Sequence, residues 1–203
     1  MARNARELAH ALRSTIVDER VLRAIAEVPR DLFVPAEQHE SAWDDDALPI
    51  AAGQTISQPT VVARMCELLA LTGEETVLDV GTGSGYHAAV LSKLAAHVYS
   101  IERHAELTDG ARAALERARI VNVTLVSGDG TRGYPEAAPY GAINVAARTE
   151  QPPPALVDQL AAGARLVIPL GTEGQYLMRL RRTGATIERE RFEKVSFVPL
   201  VGD

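Results

Sequence analysis

The sequence predicts an α/β fold, a mostly parallel sheet covered by helices on both faces and closed by an antiparallel edge. Three observations predict it. Short apolar segments alternate with helix-patterned ones from Thr76 onward, the arrangement of a parallel sheet built from βαβ units. A glycine cluster, Gly81-Thr82-Gly83-Ser84-Gly85, follows the first apolar segment, where a strand must turn into a helix. Two late segments, Tyr176–Arg182 and Ala185–Arg191, flank Gly184 as an antiparallel pair would.

The elements follow in order. Leu8, Leu12 and Ile16 are spaced by four, a helical stripe over about Arg3 to Ile16. A second helix is expected from Asp18 or Glu19 to about Glu27, because Pro29 disfavours the α conformation at Val28. Pro35, Pro49 and Gly53 interrupt Arg30 to Gln58, so that stretch reads as irregular. Val61, Val62, Met65, Leu68, Leu69 and Leu71 resume helical spacing, with Gly73 suited to the C-terminus. Strands are expected at Thr76–Val80, Val98–Ile101, Val123–Val126, Tyr140–Ala146 and Arg165–Leu170. Helices are expected at Tyr86–Ala95, Ala105–Arg117 and from the Pro152–Pro154 triplet to Leu160, since proline is tolerated in a first helical turn.

Composition narrows the function classes. Apolar residues make up 46% of 203 and charged residues 24%, an ordinary globular balance for one domain. The net charge is −6 and the 21 basic residues form no dense cluster, which argues against nucleic acid as partner. No apolar run reaches the ~18 residues of a membrane span, and the N-terminus lacks a signal-peptide core; a cytoplasmic protein is expected. Cys66 is the single cysteine, so no intrachain disulfide can form, and its apolar surroundings suggest a small buried hydrophobe. The five histidines show no metal-ligand spacing, and no metal site is expected. Asp44-Asp45-Asp46 reads as a solvated surface run, and Trp43 beside it as a lid element or plain core.

Chemistry-bearing residues are expected just after the strands, because the ligand crevice of such a sheet lies beyond their carboxyl ends, at the switch point. The glycines after Asp79-Val80 let a ligand approach the backbone, and the following helix start offers free N–H groups. Glu102 ends the second strand, 102 − 81 = 21 residues past the first glycine, where a carboxylate can accept from both ribose hydroxyls. Gly128-Asp129-Gly130 follows the third strand; its aspartate suits an adenine amine, or equally a turn aspartate bonding its own backbone. Together the three point to a nucleoside-type ligand. They leave a nicotinamide dinucleotide open, since Gly83-Ser84-Gly85-Tyr86-His87-Ala88 satisfies G-x-G-x-x-A.

Longer runs carry a resemblance. Val77–Tyr86 looks like the acidic-residue-plus-G-x-G-x-G motif of class I methyltransferases. Val28-Pro29-Arg30, Phe33-Val34-Pro35, Ala47–Ile50, Gly53–Pro59, Tyr99–Arg103, Gly128–Gly130, Gly163–Pro169 and Phe197–Leu200 follow in order, and with them the chain resembles the protein-L-isoaspartate O-methyltransferases. Gly53-Gln54-Thr55-Ile56-Ser57 is the most specific part, having no reason to occur in a generic nucleotide-binding fold.

The resemblance implies a Rossmann-like, seven-stranded mixed sheet in one methyltransferase domain over 1–203. Residues 1–58 would form N-terminal helices and a covering loop, and 59–203 the S-adenosylmethionine-binding sheet. It implies Ser57 as the active-site residue. Asp79, Gly81, Thr82, Gly83, Ser84, Glu102, Arg103, Gly128, Asp129 and Gly130 match cofactor-binding positions. Ala52, Gln54, Thr55, Ile56, Val195, Ser196, Phe197 and Val198 match segments around an isoaspartyl substrate. The expected product is S-adenosylhomocysteine and the expected partners are isoaspartyl proteins and peptides, met by a monomer. An aspartyl-type carboxylate, with a pKa near ~4, is already ionised at pH 7 and needs no strong base. Ser57 is therefore assigned to orienting it, or to capping the helix after Pro59, two compatible roles.

The sequence departs from the family in the fourth strand, where Asp-Ala-Ile-Ile-Val-Thr is usual and Gly141-Ala142-Ile143-Asn144-Val145-Ala146 stands, and at Trp43, where tyrosine is usual. Two further readings stay open: an aspartate-methylating peptide-tailoring enzyme, against which stands the lack of an added C-terminal domain after Phe197–Leu200, and a cofactor-binding relative with weak or no turnover.

Overall fold

The computed structural model describes residues 2–172 and 174–202. Helices α1 (Ala5–Leu12) and α2 (Glu19–Glu27) come first. Asn4 and Asp18 cap them, each side chain accepting a first-turn backbone N–H. The irregular stretch holds short 3-10 turns and a two-residue antiparallel pair, β1 (Leu48–Pro49) with β2 (Thr55–Ile56). Helix α3 (Pro59–Leu69) then leads to β3 (Thr76–Val80), α4 (Tyr86–Ser92), β4 (His97–Glu102), α5 (Ala105–Arg117) and β5 (Val123–Ser127). After β6 (Tyr140–Val145) come α6 (Pro154–Asp158), β7 (Leu160–Leu170), β8 (Gln175–Thr183) and β9 (Thr186–Val195).

Seven strands form one sheet in the order β5-β4-β3-β6-β7-β8-β9. The first four pairings are parallel and the last two antiparallel. From β3 the chain runs outward through β4 and β5, then returns to place β6 on the other flank of β3. The switch point therefore lies beyond Val80 and Val145. Buried apolar residues on one side run continuously from Leu8 of α1 through α3 and α4 to Leu177 of β8. A second group, including Leu78, Ile143, Leu156 and Leu180, fills the other side.

Several boundaries moved. The first helix stops at Leu12 rather than Ile16. Helix α3 ends at Leu69, with Ala70 and not Gly73 taking the left-handed turn (φ 50°). Strand β7 begins at Leu160, five residues before the expected Arg165, and the proline-led helix is correspondingly short. In the three helices apolar periodicity continued past the point where backbone hydrogen bonding changed, whereas β7 starts early through a small-residue stretch, Ala161-Ala162-Gly163-Ala164. Gly184 does turn the β8–β9 hairpin (φ 63°).

Gly141 explains one departure in the fourth strand. A side chain there would meet Glu75 Cγ at 2.8 Å, and the Glu75 carboxylate is engaged by the Thr72 and Gly73 amides and the Thr72 hydroxyl. Glu75, from the turn before β3, fills the space that a side chain at Gly141 would need.

Candidate active site

Two clefts meet at the switch point. The first, about 670 Å³, is lined by Gly81, Gly83, Glu102, Arg103, His104, Leu107 and Gly130 below, and by Gln54, Thr55 and Val198–Val201 above. The second, about 1010 Å³, is lined by Thr55, Ser57, Gln58 and Val61 on one side and Lys194–Val198 on the other. Thr55, Ala146 and Val198 line both. The predicted site residues thus divide into two groups that share a junction.

The first cleft is built by strand ends. Gly81 (φ 91°) and Gly83 (φ 54°) adopt left-handed conformations that exclude side chains at low cost only for glycine. Glu102 organises the loop: its Oε2 accepts the Gly83 amide at 3.0 Å, and its Oε1 accepts the Arg103 and His104 amides at 2.9 and 3.0 Å. Those bonds use three of about four acceptor positions on a carboxylate, leaving one on Oε2. Gly130 packs so closely that an added Cβ would lie 2.5 Å from Val80 Cγ1. Asp129 behaves as a turn aspartate, its Oδ1 accepting the Thr131 amide and hydroxyl at 2.8 and 2.7 Å. Asp129 and Gly128 sit beside Gly130 at the cleft's edge without lining it.

Other expected contacts lie behind the cleft. Asp79 is fully buried. Its Oδ2 accepts the Ser100 hydroxyl and its Oδ1 the Asn144 amide, both at 2.7 Å. Burial pushes the Asp79 carboxyl up to about 6, against those two bonds, which pull it down. Since Ser100 donates to Asp79, the Thr82 hydroxyl donates to Ser100 at 2.7 Å, so Thr82 also faces inward. The second Asn144 amide hydrogen points to His87 Nδ1 at 3.2 Å. His87 must then carry its proton on Nε2, which faces Cys66 Sγ at 3.5 Å. Burial pulls His87 down to about 3, so it is neutral at pH 7. Sequence patterning showed Cys66 as buried but could not reveal this polar chain beneath the glycine loop. Ser84 lies on the loop's other side, in a groove with Phe33, Ile50 and Ala111.

The second cleft joins segments remote in sequence. The β1–β2 pair presents Thr55 and Ser57, whereas Ile56, alternating to the other face, is buried at 3% exposure. Ala52 (φ 54°) is exposed in the turn before it and lines neither cleft. Ser57 does not cap α3. Asp45 does so, accepting the Thr60 amide at 2.8 Å and its hydroxyl at 2.5 Å, with Gln58 Nε2 at 3.1 Å. The middle acid of the expected solvated run is thus structural, and the Ser57 hydroxyl makes no hydrogen bond among the described residues. Trp43 is half-buried against the apolar core.

The C-terminal tail crosses the switch point. Arg148 donates to Val198 O at 2.9 Å and Leu200 donates to Arg148 O at 2.8 Å. Gln175 exchanges two bonds with Phe197, and Arg103 Nη1 donates to Val201 O at 2.8 Å. Pro199, Leu200 and Val201 were not singled out in the sequence as cleft residues, since nothing local marks a strand-free tail as a wall. Among the described residues no cluster of three or more His, Cys, Asp or Glu is placed to hold a metal ion.

A glycine-loop cleft at the switch point, opening onto a second cleft at the same junction, fits a class I S-adenosylmethionine-dependent methyltransferase. The profile of the protein-L-isoaspartate(D-aspartate) O-methyltransferases (PCMT) matches residues 3–203. The chain belongs to that family. A protein-L-isoaspartate O-methyltransferase of Roseiflexus castenholzii is 50% identical over 192 residues, 94% of this chain and 88% of the relative. One from Chromobacterium violaceum is 49% identical over 203 residues, covering 98% and 91%. Among solved structures, a Plasmodium falciparum protein-L-isoaspartate O-methyltransferase in complex with S-adenosyl-L-homocysteine superposes with a TM-score of 0.85 at 26% identity, covering 100% of both chains. Another protein-L-isoaspartate O-methyltransferase superposes with a TM-score of 0.88 at 28% identity, covering 97% of this chain, which spans 66% of that longer one. The nicotinamide alternative allowed by G-x-G-x-x-A is set aside by the family match.

Proposed function

We propose that this protein transfers the methyl group of S-adenosylmethionine to the free α-carboxylate of L-isoaspartyl residues in damaged proteins and peptides. The observation that carries the reading is the junction of the two clefts at Thr55, Ala146 and Val198, with the glycine loop on one side and the Ser57 hydroxyl on the other. When bound, S-adenosylmethionine supplies a sulfonium methyl for an attacking carboxylate oxygen, leaving S-adenosylhomocysteine. Gly81 and Gly83 let the backbone approach the cofactor, Glu102 accepts one ribose hydroxyl, and Gly128–Gly130 with Arg103 border the nucleoside end. Ser57, its hydroxyl uncommitted, donates to the substrate carboxylate and aims an oxygen at the methyl group. Thr55 and the Val195–Val198 segment enclose the peptide and exclude water. Positioning of this kind lowers barriers by roughly 7–11 kcal/mol in well-oriented model reactions. Methylation gives the α-carboxylate a leaving group, and the chain recloses to a succinimide that can hydrolyse to normal aspartate.

Asp79 and Thr82 support the loop from beneath rather than touching the cofactor. We read 1–203 as one domain, residues 1–58 covering the sheet of 59–203, a reading supported by the apolar core running from Leu8 to Leu177. The net charge of −6 supports a reading without nucleic acid as partner, and we read the protein as a monomer acting in the cytoplasm.

The test uses two peptides of identical sequence, one with an isoaspartyl and one with an aspartyl linkage, and follows S-adenosylhomocysteine formation. Turnover of the isoaspartyl peptide alone is expected. A second reading, a cofactor-binding relative with weak turnover, is favoured by Ala146, which puts a methyl group where a hydroxyl is usual at the junction. Cofactor binding by calorimetry without turnover of either peptide would establish it.

A further inference from the structure

Arg30 is the largest fully buried side chain, with 0% of its surface exposed. No carboxylate bonds it among the described residues. Its Nη1 donates to Ala42 O at 2.8 Å and Asp44 O at 3.4 Å; its Nη2 donates to Asp46 O at 2.8 Å and Ser57 O at 3.1 Å. The guanidinium carbon lies 5.7 Å from the centroid of the Tyr86 ring, within cation–π range. Burying a guanidinium is costly unless its donors are satisfied; here backbone carbonyls from two chain segments take the Nη1 and Nη2 hydrogens and a ring face lies alongside, while Nε has no hydrogen-bond partner among the described residues.

Those partners are the parts that must keep register for methyl transfer. Ser57 carries the hydroxyl assigned to the substrate carboxylate. Residues 42–46 lead into β1, which pairs with β2 immediately before Ser57, Leu48 opposite Ile56. Asp45, in the same segment, caps α3 just after Ser57. Tyr86 follows Gly85, the last glycine of the cofactor loop, and opens α4. A planar, five-donor head can bridge these directions at once; an ammonium on a flexible stem cannot.

We infer that Arg30 is a positioning residue for the transfer reaction, fixing the Ser57 segment relative to the glycine loop. This rests on the reading of Ser57 as the carboxylate-orienting group. Arg30 touches neither cleft and acts through the Ser57 backbone and the Tyr86 ring. Loss of its fork leaves the cofactor cleft in place and lets Ser57 drift from the methyl group. A shift of that kind appears in turnover more than in affinity.

The experiment compares Arg30→Lys, Arg30→Met and Ser57→Ala with the unaltered protein, assayed well below each melting temperature. The readouts are kcat and KM for an isoaspartyl peptide and calorimetric affinity for S-adenosylhomocysteine. Arg30→Met is expected to lower kcat by about 10- to 100-fold and Arg30→Lys to recover part of that, with cofactor affinity changed by less than about threefold in both. A folded Arg30→Lys and Arg30→Met pair with unaltered kcat overturns the inference, as does an equal loss of kcat and cofactor affinity. Ser57→Ala separates the two failures: unaltered turnover there removes the Ser57 reading and this inference with it. Reduced turnover there, beside unaltered Arg30 variants, removes the inference alone. Should neither Arg30 variant fold, amide hydrogen exchange on the unaltered protein decides. Protection of residues 42–46 and 57–60 is expected to agree within about threefold; a difference above about tenfold overturns the inference.

Discussion

The two clefts share three residues yet are built on different principles. The floor of the cofactor cleft belongs to the sheet: its glycines and Glu102 sit at the ends of β3 and β4, and the loop is tied to β4 by the Gly81 and Thr82 amides on Ile101 O and by the Glu102 carboxylate. The substrate cleft belongs to no single element. Ser57 comes from the N-terminal cover, Ala146 from the end of β6 and Val195–Val198 from the tail, and their alignment depends on Arg30, Asp45 and Arg148. A βα turn is set by its own sequence, whereas a wall assembled from three remote segments is only as precise as its cross-links. Disturbance of the first should therefore appear in cofactor affinity, and of the second in turnover.

The largest effect is expected at Glu102. Glu102→Ala removes the proposed ribose acceptor and frees the amides of Gly83, Arg103 and His104, so cofactor affinity should fall by about 100-fold or more at roughly 1.5–3 kcal/mol per charge-assisted bond. Calorimetry with S-adenosylhomocysteine measures it, and unaltered affinity would dissolve the proposed division. Ser57→Ala should do the reverse, lowering kcat about 10- to 100-fold with cofactor affinity nearly intact; parallel losses in both would mean the clefts are not separable.

Beneath the glycine loop, Asp79 tests whether the buried chain carries charge. A carboxyl whose folded pKa is raised contributes stability at low pH that is lost as pH rises. The window runs from its unfolded value, near ~3.9, through about 6. The stability of the unaltered protein relative to Asp79→Asn should accordingly be greater at pH 5 than at pH 7.5, by about 1 kcal/mol, as read from denaturant unfolding. A difference independent of pH would show that Asp79 is not strained by burial. The smallest effect belongs to the rim. Lys194 is the one charged side chain lining the substrate cleft among the described residues, and it is exposed. Lys194→Glu should raise KM for the anionic substrate about two- to fivefold at low salt, with kcat unmoved and the effect fading as salt is added.

Much of the cofactor side was legible in the sequence. Each strand of the seven-stranded sheet was found within a few residues, apart from the five-residue early start of β7, because a buried parallel strand is a short apolar run between turn residues; the two-residue β1 and β2 lie in the stretch read as irregular. Gly81, Gly83 and Glu102 were legible because a strand-end loop must have glycines where backbone turns left-handed, and because a carboxylate 21 residues on lands on the neighbouring strand end. The substrate side was reached by family resemblance, and its misassignments are instructive. Ile56 sits in the matching run, but strand alternation buries it. Asp45, read as part of a solvated run, is exposed and also caps the start of α3.

By itself the sequence determined the fold class, the strand ends and the chemistry that can gather there, since periodicity and turn residues are local and act wherever the chain lies. Only the tertiary structure decided which side chains face a ligand and which brace one. Asp79 and Thr82 turn inward to a chain ending at Cys66, and Arg30 spends a charge in the core to hold backbone carbonyls. The tail from Phe197 becomes a wall because Arg148 and Arg103 catch it. These depend on the directions of hydrogen-bond donors relative to segments tens of residues away, and no local pattern records such directions.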